Sequence, residues 1–147
     1  MGFVPCTPQE AEIRRYDMKA AEVWAIGAVV LLDANEELVE AGADPATILG
    51  FVQHASGVEP YPTKGYVALA DDEKARFWLT GSSDGSAVAT PAKANLNQSY
   101  GLAVDSDGIW YLDLSDTTNT RAYVHRIDLE QNRFEVSILA ANRQAAP

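Results

Sequence analysis

The chain has a single cysteine, Cys6, among its 147 residues. One thiol excludes an internal disulfide and falls far short of a zinc set, so nothing here requires an oxidising compartment. Histidine is nearly as scarce. His54 and His125 fall on different expected strands, with no carboxylate at a metal spacing, and read as strand-face or turn residues. Positive charge is also thin. Eleven lysines and arginines face 21 acids, giving a net charge of −10 and a pI near 4.5. Such a surface repels phosphate backbones, and no basic cluster offsets it, which argues against a nucleic-acid partner. Long apolar runs are missing too. The longest, around Gly27 to Leu32, is far below the roughly 20 residues a membrane helix needs. The opening "MGFVPCTPQE" lacks the basic start and apolar stretch of a signal peptide, and Cys6 stands where a myristoylation motif needs Ser or Thr.

What the chain does have is short apolar stretches punctuated by turns. "GAVVLLDANEELVEA" reads as a hairpin turning at Asp33–Asn35, and "GADPAT" as a turn set by Pro45. "ILGFVQHA", "YVALA", "KARFWLT", "YGLAV", "IWYLDL", "RAYVHRIDL" and "RFEVSIL" follow as strands, with Gly50 marking a bulge or close backbone approach. In "RAYVHRIDL", strict alternation sends Ala122, Val124 and Arg126 one way and Tyr123, His125 and Ile127 the other. "SGVEPYPTKG" is a loop. "GSSDGSAVATPAKANLNQS" is a longer one, with a helical turn at "PAKAN". Strands every eight to twelve residues predict an all-β fold: a small barrel or sandwich built of antiparallel hairpins, with an extended N-terminal arm and little helix. No tandem repeat of fixed period stands out.

Residues 1–17 are expected as the arm, with Thr7, Pro8 and Glu10 able to start a helical turn. Residues 18–140 form the β domain, as one barrel or as two lobes meeting near 81–98, and 141–147 a frayed tail. Phe3, Val4, Ile13 and Tyr16 make the arm too apolar for a solvated tail, so they are the candidate partner-binding residues.

The acid-rich stretch "DSDGIWYLDLSD" at 105–116 is the most chemical-looking segment. It fails as a calcium loop. With Gly108 at the sixth position, Ala103 and Leu114 fall where ligands are required. Asp107 and Asp113 could form an acid/base pair only in a cleft that raises one pKa. The simpler reading is a hairpin, with Gly108 as its positive-φ residue. Ser82, Ser83 and Ser86 lie in "TGSSDGS", which no Gly-Lys-Ser/Thr completes as a P-loop. Cys6 has no adjacent base. No catalytic, metal or cofactor site is therefore expected. Trp24, Trp78 and Trp110 are expected in or beside the core; if Trp78 or Trp110 were exposed beside polar groups, they could stack sugar rings in a carbohydrate-binding module.

The order of pieces, with G-A-x-V-x-L-D-A-N, a D-P turn and I-x-G-F, then Y-G-L-x-x-D-x-D-G-x-W-Y-x-D and a strand ending I-D-L, resembles the capsid decoration (cement) proteins of tailed bacteriophages. The resemblance covers roughly residues 20 to 140. It implies a non-enzymatic β protein of the virion that binds the outer surface of the head and bridges neighbouring major capsid proteins. It also implies a homodimer or homotrimer, with neither nucleic acid nor membrane as partner.

Overall fold

The computed structural model describes residues 2–58 and 62–147. The middle of the "SGVEPYPTKG" loop, Glu59 to Tyr61, lies outside the described residues. The fold is all-β, with helix confined to two short 3-10 turns at Lys93–Asn95 and Ala140–Asn142. The strands are β1 (Thr7–Glu10), β2 (Ile13–Asp17), β3 (Val29–Leu32), β4 (Leu38–Glu40), β5 (Gly50–Val52), β6 (Lys64–Leu69), β7 (Arg76–Ser82), β8 (Ser99–Val104), β9 (Trp110–Asp113), β10 (Ala122–Asp128) and β11 (Arg133–Ile138).

The second half of the chain closes into a five-stranded barrel in the order β7-β11-β10-β8-β9. Parallel pairing of Gly81 with Leu112 and Ser82 with Asp113 joins β9 back to β7. The first half forms the sheet β2-β6-β5-β3-β4. It curls until Met18, just past β2, makes a parallel bridge to Leu38 on β4. Numbered within each half, both run first-fifth-fourth-second-third, and both close third to first in parallel.

The two halves are one supersecondary plan used twice. In the β3–β4 hairpin Val30 pairs with Glu40, Leu31 with Val39 and Leu32 with Leu38. Seventy-two residues on (30 to 102), Leu102 pairs with Leu112, Ala103 with Tyr111 and Val104 with Trp110. The turns match atom for atom. Asp33 Oδ1 accepts the N–H groups of Asn35 and Glu37, and Asp105 Oδ1 those of Asp107 and Ile109. Each turn has its fourth residue at positive φ, Glu36 at 59° and Gly108 at 82°. The expected Gly108 hairpin is therefore present. The duplication escaped the sequence reading because only the turn aspartates persist, while facing side chains differ.

One contiguous core joins the halves, drawing Val30, Phe51 and Leu69 from one sheet and Phe77, Leu102 and Phe134 from the other. Phe51 and Phe77 meet across the junction with ring centroids 4.5 Å apart. Gly50 shows the expected close approach. A Cβ there would lie 2.0 Å from the Ala68 carbonyl oxygen, so no larger residue fits.

Three expectations need correction. Residues 7–10 do not start a helical turn; they form β1 on β7, and residues 13–17 form β2 on β6, so the leader stitches both sheets. Each short segment gains backbone hydrogen bonds from a strand edge, which a single helical turn of four residues could not supply. Strict alternation in β10 also fails. A bulge between Val124 and Arg126 turns Arg126 outward and leaves Ile127 against the core. Finally, the last residues are tied down. Arg143 bridges Ile48, and the Gln144 side chain both donates to the Leu32 carbonyl (3.0 Å) and accepts from its N–H (2.8 Å).

Candidate functional site

Many of the aspartates of this chain are spent inside its own turns. Asp105 caps its hairpin, Asp113 Oδ1 accepts from Ser115, Asp116 Oδ1 from the N–H groups of Thr118 and Asn119, and Asp84 Oδ1 from those of Ser86 and Ala87. Ser82 is buried beneath the last of these turns, and its hydroxyl donates to Asp84. Asp107 is exposed at the hairpin tip. Among the described residues, no group of three or more His, Cys, Asp or Glu side chains could hold a metal ion. Cys6 is buried, and burial pushes its thiol pKa up, away from the nucleophilic thiolate. His54 is buried, with Nε2 against the Tyr66 N–H at 3.0 Å. His125 Nε2 lies 2.7 Å from the Ser137 hydroxyl; burial, then the nearby Arg76, lowers its pKa.

The leader residues expected to bind a partner are spread over both sheets. Phe3 stacks on Tyr111 with centroids 4.6 Å apart. Val4 is half exposed beside β7, and Ile13 is nearly so on β2. The Tyr16 ring packs against the core.

The exception to this self-absorbed surface is the outer face of β1, β7, β11 and β10. Its origin is a repeated dipeptide. "RFW" on β7 and "RFE" on β11 each turn Phe inward, where Phe77 and Phe134 are fully buried, and send their flanking residues out. Antiparallel register sets Trp78 opposite Glu135, and Glu135 opposite Arg126. Glu135 sits at the centre, only 3% exposed, accepting from Arg126 Nε at 3.0 Å and from Arg76 at 3.4 Å. Arginine, Arg126 foremost, holds its carboxyl below the ordinary glutamate range despite the burial. Arg133 lies 4.4 Å and Arg126 5.5 Å from the Trp78 ring centroid. Each such stack contributes about 0.5–1 kcal/mol at a surface. Gln9 on β1 accepts from the Trp78 indole N–H at 2.8 Å. Three of the eleven cationic side chains thus gather on one face of an acidic protein.

The first half offers an internal comparison. By the same equivalence, which sets Leu38 with Trp110, Met18 is level with Leu79, so Asp17 on β2 stands where Trp78 stands on β7, with Lys64 opposite it in place of Glu135. The scaffold is shared; the arginine–tryptophan cluster belongs to the second barrel alone. Sequence reading missed it because Arg76, Arg126 and Arg133 are separated by up to 57 residues (76 to 133). The paired R-F dipeptides were the available signal.

Trp24 and Trp110 are buried, with indole N–H groups donated to the His54 carbonyl and to Glu40. Trp78 alone of the three reaches the surface, and arginines occupy its ring. No protein-family model matches the chain, and no curated protein matches it.

Proposed function

We propose that this protein is a capsid decoration (cement) protein of a tailed bacteriophage, a non-catalytic module that seats on the outer surface of the head and bridges neighbouring capsid subunits. The observation that carries the reading is the Trp78 face, on a body with one continuous core and several aspartates spent in its own turns. Tryptophan and arginine are the residues that dominate protein–protein hot spots. Here Glu135 already fixes the guanidinium groups, so docking orders little that is mobile. The charge of −10 suits a surface turned away from packaged DNA. Repetition around a shell, as a dimer or trimer, turns modest single-site affinity into firm attachment. Of the leader residues, Val4 borders this face, Phe3 lies against Tyr111 on β9, and Ile13 and Tyr16 lie on the other sheet.

The competing reading as a carbohydrate module needs an open indole face. Trp110 is buried and Trp78 is covered by Arg133, which leaves sugar stacking without a platform. The test is addition of the purified chain to expanded empty capsids. Co-sedimentation and a raised capsid melting temperature are expected, with density for this chain on the outer shell by electron microscopy. Failure to sediment with any expanded capsid, and absence from the virion, would sink the proposal.

A further inference from the structure

Beside the Trp78 stack runs a cleft of about 190 Å³, walled by Val4, Pro5, Thr7, Trp78, Thr80 and Arg133. Its walls are mainly apolar, and Val4 leaves half its surface to solvent at the rim. At the other rim, Arg133 is fixed at one nitrogen. Its Nε donates to Asp128 Oδ2 at 3.0 Å, while its plane rests on the indole. Its two terminal nitrogens have no hydrogen-bond partner among the described residues. Arg126 likewise commits Nε and one terminal nitrogen to Glu135, with its side chain 61% exposed.

We propose that this cleft receives an acidic segment of the partner protein, one carboxylate on the outward terminal nitrogens of the Arg133 guanidinium and an adjacent apolar or aromatic side chain against Val4 and Pro5. The inference rests on the reading of this face as the capsid-facing surface. Charge complementarity selects the occupant. A planar guanidinium with two outward donors fits a carboxylate in a two-pronged geometry, and it is held in place before the ligand arrives. The apolar walls demand a hydrophobic neighbour, and the small volume admits one side chain. A phosphate polymer would bring many charges against a strongly acidic body, whereas a single peptide carboxylate brings one.

The test uses the full chain and a capped peptide with aspartate, phenylalanine and glutamate in sequence. Its twin carries the corresponding amides, and a short single-stranded oligonucleotide serves as the phosphate probe. Calorimetry gives affinity; the indole N–H resonance of Trp78 locates the site. The acidic peptide is expected to bind and shift that resonance, with its amide twin at least about tenfold weaker. Arg133→Ala should weaken the acidic peptide by about tenfold while lowering the melting temperature by only a few degrees, from loss of the Trp78 stack and the Asp128 bond, whereas Lys93→Ala, in the 3-10 turn outside the cleft, leaves binding unaltered. Arg133→Lys, which keeps charge without the fork, recovers only part of the loss. Equal binding of acid and amide, an Arg133→Ala variant that binds normally, or preference for the oligonucleotide would each overturn the inference. A chain that seats on capsids yet ignores the peptide overturns this inference alone. A chain that binds the peptide but no capsid overturns the decoration reading instead.

Discussion

Asp44 and Asp116 occupy equivalent places in the two halves, 72 residues apart (44 to 116), and their side chains meet where the halves join. A Cβ built on Gly101 would lie 2.4 Å from one oxygen of Asp44 and 2.6 Å from one of Asp116. The Asp44 carboxylate also accepts the Leu102 N–H at 3.0 Å, and the Asp44 N–H donates to the Leu102 carbonyl at 2.9 Å. Asp44 thus clips the first half onto β8. Its backbone takes φ of 48°, and Arg121 donates to its carbonyl at 3.1 Å. Burial, then the hydrogen bond with Asp116, raises the Asp44 pKa from 3.8 to about 6, while Asp116, accepting that bond, is lowered. Below about pH 6 the pair therefore shares one proton, carried on Asp44.

A raised carboxyl pKa means the folded state binds the proton more tightly than the unfolded chain. Stability from Asp44 is therefore greatest below its unfolded value and is lost as pH rises from about 4 through about 6. Asp116 has the opposite sign; its contribution is present above the unfolded value and lost as pH falls through its lowered folded value. The pair stabilises most near pH 4–5. A shift of about two units corresponds to about 3 kcal/mol, which partial solvent exposure reduces to about 1–2 kcal/mol. Asp44→Asn keeps the oxygen that accepts the Leu102 N–H and presents an amide to Asp116 that needs no proton. About half of the Asp44 stabilisation is already lost by pH 5, so the variant should lie close to the parent at pH 5 and exceed it by about 0.5–1 kcal/mol at pH 8, or about 1–4 °C in Tm. Urea unfolding at the two pH values reads this directly. An equal stability difference at pH 5 and pH 8, or a less stable variant at pH 8, would refute the shared-proton account.

Other outcomes follow from the same geometry. Asp33→Ala and Asp105→Ala each remove two turn hydrogen bonds, so both should cost about 1–2 kcal/mol, and similarly, as equivalent turns require. Gln144→Ala should cost about 1–2 kcal/mol and expose the Leu32 amide to hydrogen exchange at rates near those of open loops. Gly50→Ala drives a methyl into the Ala68 carbonyl; a Tm loss above about 5 °C, or insolubility, is expected. Cys6, buried with a raised pKa, should resist alkylation in the native protein and react only as the chain unfolds in denaturant.

Local patterning announced the strands of this fold. Alternation, turn aspartates and glycines mark β3, β4 and β7 to β11 because turn chemistry and side-chain period act over a few residues. Gly50 and Gly108 announced a close approach and a positive φ for the same reason. The leader was harder to read. Thr7-Pro8-x-Glu10 is a sound helix start in isolation, yet two strand edges were waiting for it, and pairing there outweighs a single turn of helix.

Charge, the lone cysteine and the sparse histidines settled by themselves that the molecule is acidic and held together without disulfides. Turn chemistry placed Asp33 and Asp105 in their hairpin turns, where they are found. Which residues meet was decided by tertiary structure alone. Register on β7, β11 and β10 converts three scattered arginines, a tryptophan and a glutamate into one ordered face, and repetition of one five-strand plan brings Asp44 to Asp116. These contacts join residues dozens of positions apart. They depend on strand order and on the β10 bulge, which no window of a few residues encodes.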